Sequence, residues 1–116
     1  MSTTPRIITT DDFIANNHTI ELNNLYNSDC FDILGDIPDN SIDCILVDLP
    51  YGNGFTNNTW DNCLDLELLF KHYERVATDN CAIILFGKGV FSFELYQASL
   101  STDLKYRYSL VWEKPS

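Results

Sequence analysis

Over positions 42–47 the chain reads Ile-Asp-Cys-Ile-Leu-Val, almost continuously apolar, and it breaks off at Asp48. A run of that length predicts a strand covered on both faces in a parallel sheet. A second run, over 81–86, halts at Gly87-Lys88-Gly89 and predicts another. Between them Leu66, Leu69, Phe70, Tyr73 and Val76 recur at the spacing of one helical face, so a helix is expected over 64–77. A shorter helix is expected over 91–100. Tyr106, Tyr108, Leu110 and Trp112 then alternate with Arg107, Ser109 and Val111, the period of a strand.

The N-terminal part is patterned more weakly. Residues 1–17 are polar, Thr-rich and aperiodic, which predicts a loose arm or a single edge element. The β-branched and aromatic content of 19–26, broken by Asn23-Asn24, suits a short strand or hairpin. Asp29 stands where it would cap a short helix over 31–34, which Gly35 ends, and 38–41 supplies turn residues. Strands alternating with helices give an α/β fold class, a mostly parallel twisted sheet with flanking helices and right-handed crossovers. One domain is expected, over 18–116, behind the arm.

Charge restricts the partners. Seven basic residues face 17 acidic ones, for a net charge of −10, and the averaged field repels a polyanion. DNA affinity rests on basic groups at phosphates, and only Lys105 and Arg107 lie close together. The first thirty residues hold no signal-like apolar run, and no stretch of eighteen apolar residues occurs, so a cytoplasmic chain without a membrane span is expected. Cys30, Cys44, Cys63 and Cys81 lie far apart, and His18 and His72 are not grouped with them, so reduced, mostly buried thiols and no metal site are expected.

In open α/β sheets ligands bind beyond the carboxyl ends of the strands, which is where Asp48-Leu49-Pro50-Tyr51 falls. Pro50 restricts Leu49 to extended conformations and lacks an N–H, so a carboxylate and the Leu49 carbonyl project in a narrow range of directions. Tyr51 adds an aromatic face, and Gly52 and Gly54 let the chain turn away. Two acceptors suit an exocyclic amine on a nucleobase. If each takes one hydrogen, the nitrogen lone pair is directed at an electrophile.

The run Asp48-Leu49-Pro50-Tyr51 resembles the Asp-Pro-Pro-Tyr signature of the S-adenosylmethionine-dependent DNA amino-methyltransferases, which act on adenine N6 or cytosine N4. The flanks resemble that family too: Asn27-Ser28-Asp29-Cys30, Leu34 and 37–43 before the signature, then Leu85-Phe86-Gly87, Phe91-Ser92 and 106–114 after it. The resemblance spans roughly 20–114. It implies part of a Rossmann-like methyltransferase fold, S-adenosyl-L-methionine as cofactor, and a flipped adenine or cytosine in DNA as substrate. It implies that Asp48 and Leu49 orient the amine, Pro50 holds the loop and Tyr51 stacks on the base. It also places Asp29, with Cys30 beside it, near the cofactor adenosine.

Leu49 stands where the common pattern has proline, and Gly87-Lys88-Gly89 lacks the third glycine and acidic partner of a nucleotide-binding turn. The resemblance therefore covers about the catalytic half of a restriction-modification type enzyme. A truncated or split enzyme working with a complementary chain or as a homo-oligomer, an inactive remnant, and a reused scaffold are the expectations. The last has a defined form: a small acidic inhibitor on a methyltransferase-derived scaffold, imitating DNA toward a defence or nucleic-acid-binding protein.

Overall fold

The computed structural model describes residues 4–50 and 64–115. Tyr51, Gly52, Gly54 and Cys63 lie outside the described residues. Strands and helices alternate in the order β1 (Ile7–Thr9), α1 (Thr10–Ala15), β2 (Leu25–Asn27), α2 (Cys30–Leu34), β3 (Ile42–Val47), α3 (Leu66–Val76), β4 (Ala77–Leu85) and α4 (Val90–Ser99). The fold is α/β with short sheets of parallel strands. β1 pairs with β2 in parallel, Ile8 beside Tyr26, and β3 pairs with β4 in a second two-stranded sheet. Parallel neighbours need a crossover, and α1 and α3 lie within the two connections. Among the described residues no helix is long and apolar enough to cross a membrane.

The chain divides into two compact units that interleave in sequence, Met1–Leu46 with Arg75–Ile84, and Val47–Glu74 with Leu85–Ser116. In the first, Ile8, Phe13 and Ile33 form a core with Ile20 and Tyr26 packed against it. Phe13 meets the rings of His18 and Tyr26 edge-on, at centroid separations of 5.1 and 5.9 Å. In the second, Leu69, Phe70 and Tyr73 of α3 and Phe91, Leu95 and Ala98 of α4 are buried. These α3 positions, with Val76, are the helical stripe of the sequence.

Four expectations are corrected. Residues 7–15, within the expected loose arm, fold into β1 and α1, because Thr9 and Asp12 form a reciprocal capping box that satisfies the helix start. Residues 19–22 form no strand: the N–H of Glu21 donates to the Tyr26 hydroxyl at 2.7 Å, and that hydroxyl donates to the Glu21 carbonyl at 3.2 Å, so neither group is free for a ladder. β4 begins at Ala77, earlier than the apolar run, where the Thr78 hydroxyl bonds Asp43 at 2.9 Å. Residues 104–115 form neither strand nor helix. Tyr106 and Trp112 instead pack against the rings of Tyr96 and Phe86.

The sheet of β3 and β4 is also not covered on both faces. Ile45 is buried, but Leu46 is 65% and Ile84 49% exposed, and Cys44 is exposed.

Candidate functional site

Asp48 follows the last residue of β3 directly. The strand end is fastened there by a bond from the Phe86 N–H to the Val47 carbonyl, at 3.2 Å. Beyond it burial alternates sharply: Asp48 is exposed, Leu49 is buried to 7% exposure and Pro50 is half-buried. The leucine side chain anchors the segment, while the carboxylate before it faces water. Among the described residues, neither the Asp48 carboxylate nor the Leu49 carbonyl makes a hydrogen bond, and Asp48 caps no described helix. The two acceptors are therefore not engaged by the described parts of the fold. Tyr51 lies outside the described residues.

Asp29 and Cys30 belong to the first unit, Asp48, Leu49 and Pro50 to the second. Asp29 caps α2: its Oδ1 accepts from the Phe31 N–H at 3.0 Å. The residue is exposed, and its second carboxylate oxygen has no partner among the described residues. Against the expectation of mostly buried thiols, Cys44 is exposed on the two-stranded sheet of β3 and β4, and Cys30, which opens the short α2, is exposed as well. The Cys30 thiol is pushed above the ordinary cysteine value, first by desolvation and then by the Asp29 charge beside it. Desolvation likewise raises the Cys81 thiol, with Cys44 and Asp43 adding to it. Thiols shifted in that direction are poor nucleophiles at neutral pH.

A cavity of about 360 Å³ opens on the first unit, lined by Arg6, Asp12, Phe13, Asn16 and Glu21 among others. Sequence reasoning did not find it, since most of its lining comes from the stretch read as a loose arm. Its charged groups are already matched. Arg6 pairs with Glu21, the Asn16 amide donates to the same carboxylate at 3.2 Å, and Asp12 completes the helix cap. It offers a ligand no unspent acid or base.

Sequence reasoning also passed over Arg75. Its guanidinium donates to the Leu34 and Ile37 carbonyls at 2.7 and 2.6 Å and to Asp39 at 2.8 Å, which ties the end of α3 to the loop before β3. A lone Arg in the last turn of a helix carries no signal of such a role.

No family model, no curated protein and no solved structure matches this chain.

Proposed function

We propose that the chain carries the base-amine site of an S-adenosylmethionine-dependent DNA amino-methyltransferase, built at Asp48, Leu49, Pro50 and Tyr51 on part of a Rossmann-like sheet. The observation that carries the reading is the state of Asp48: an exposed carboxylate, without a partner among the described residues, at the carboxyl end of β3 and beside a buried leucine. A carboxylate needed for a turn or a cap among the described residues would accept from their backbone N–H groups, and Asp48 accepts from none of them.

The Asp48 carboxylate accepts one hydrogen of an adenine N6 or cytosine N4 amine, and the Leu49 carbonyl accepts the other. Drawing on both hydrogens turns the nitrogen lone pair out of the base plane. Pro50 limits the directions of the Leu49 carbonyl, and Tyr51 stacks on the base in the manner the family resemblance implies. The base enters unpaired or flipped. Asp29 suits the hydroxyl groups of the cofactor ribose, because one carboxylate oxygen serves the α2 cap and the other has no described partner. When bound, S-adenosylmethionine supplies a methyl group on a sulfonium. A chain of net charge −10 holds DNA poorly, so a complementary chain bringing basic groups belongs to this reading.

Calorimetric titration with S-adenosylmethionine is the first test, followed by transfer of labelled methyl to an oligonucleotide with an unpaired adenine or cytosine. Asp29→Ala is expected to weaken cofactor binding. Asp48→Ala is expected to leave that binding intact and to lower transfer by roughly a hundredfold or more, the scale of removing one group that stabilises a transition state. Absence of cofactor binding at millimolar concentration sinks the proposal. The net charge favours one second reading, an acidic inhibitor that occupies the DNA groove of a defence protein. Neutralising clustered carboxylates to Asn and Gln would then abolish partner binding while the fold persists.

A further inference from the structure

The stretch over 106–112 has the alternation of a strand, yet it has no sheet of its own. Its ends are fixed to the second unit, Tyr106 on Tyr96 with ring centroids 5.7 Å apart and Trp112 on Phe86 at 5.9 Å. Between those anchors Tyr108, Leu110 and Val111 are 74%, 86% and 93% exposed. Among the described residues no backbone hydrogen bond reaches 105–115. A run of unpaired N–H and C=O groups beside exposed apolar side chains is a template for pairing with another strand.

A matching edge exists in the same chain. Among the described residues β3 and β4 pair only with each other, so each keeps one edge that no described strand occupies. β4 is the longer, nine residues against six, and so spans the whole of 106–112. It carries no Lys, Arg or Pro, the residues by which natural edge strands are blunted. Charge favours the contact locally, against the mutual repulsion of two chains of net charge −10. Three of the seven basic residues, Lys105, Arg107 and Lys114, lie over 104–114 with one of the seventeen acidic ones, Glu113. The remainder of the chain is correspondingly acidic, with Asp79 on β4 itself.

We infer that the chain dimerises by strand addition: residues 106–112 of one copy pair along the open edge of β4 of a second copy, and the reverse contact closes a two-fold assembly. Hydrogen bonds supply the register, the exposed apolar residues supply burial, and Arg107 meets an acidic surface.

Sedimentation equilibrium over a concentration series tests this with the whole chain. A monomer–dimer equilibrium is expected. The double variant Leu110→Pro, Val111→Pro removes two successive N–H donors, one for either direction a strand can face. It lies outside every helix and strand, so circular dichroism is expected to be unchanged while the dimer is lost. Lys105→Glu with Arg107→Glu is expected to shift the equilibrium toward monomer. A chain that stays monomeric at every concentration, or a dimer that survives the double proline variant, overturns the inference.

Discussion

Arg75 and Asp39 form an ion pair at 2.8 Å, and the same guanidinium donates to the carbonyls of Leu34 and Ile37. Asp39 is mostly exposed, so the pair itself contributes little, whereas the two carbonyls depend on the arginine. Arg75→Met is expected to destabilise by about 3 kcal/mol, the scale of losing charged hydrogen bonds to partly buried carbonyls. Asp39→Asn should cost less than about 0.5 kcal/mol. Urea denaturation of both variants checks the order, and equal losses would contradict it.

The capping box at α1 gives a pH dependence. The Thr9 backbone and side-chain hydrogen bonds hold the Asp12 carboxyl below the usual carboxylate range. A depressed pKa contributes stability that is fully present above the unfolded value and is lost as pH falls through the folded value. Wild type and Asp12→Asn should therefore differ by a constant amount near neutrality and converge under acid conditions. Thr9→Ala removes the other half of the box and is expected to cost about 1 kcal/mol. Thermal melts over a pH series report both.

Cys30 offers a kinetic readout. Its raised pKa leaves little thiolate at neutral pH, so alkylation is expected to be slow and to accelerate well into the alkaline range. Asp29→Asn removes the neighbouring charge and keeps a capping side chain. It should speed alkylation modestly, since desolvation is the larger cause. Peptide-resolved mass spectrometry separates this thiol from the other three.

The two glycines after β4 are expected to respond differently to a methyl group. Gly89 has φ +58 and, among the described residues, nothing within 4 Å of where a Cβ would stand, so Gly89→Ala meets backbone strain there, about 1–3 kcal/mol. At Gly87 the Cβ comes within 3.0 Å of the Ser92 Oγ and 3.2 Å of a Leu95 methyl. There the cost arises from crowding against α4, and Gly87→Ala with Ser92→Gly should recover part of it. Chemical denaturation of the single and double variants distinguishes the two causes.

Elements with concentrated apolar signal were legible. β3 falls on the run at 42–47, α3 on the helical stripe, and Asp29 caps the short helix that Gly35 ends. Part of what escaped depends on partners distant in sequence, and part on short segments with few apolar residues. Only four large apolar residues mark β1 and α1, too few for a period, and a polar capping box completes the helix. β4 gains Ala77 to Asn80 beside β3, although those residues carry no strand signal. The opposite failure occurs over 106–112, where a strand pattern has no adjacent strand among the described residues to realise it. At the site, the sequence indicated acceptors at a strand end. The buried role of Leu49 was hidden, because a single leucine beyond a strand end carries no sign of which way its side chain turns.

That leucine changes the meaning of the chain's departure from a double-proline signature. With proline, stiffness at this position is written into the ring. With Leu49 it is borrowed from the surrounding interior, and the aim of the neighbouring carboxylate becomes a property of packing. Any event that loosens that interior, whether heat, denaturant or a distant cavity, would blur the proposed site before the chain unfolds.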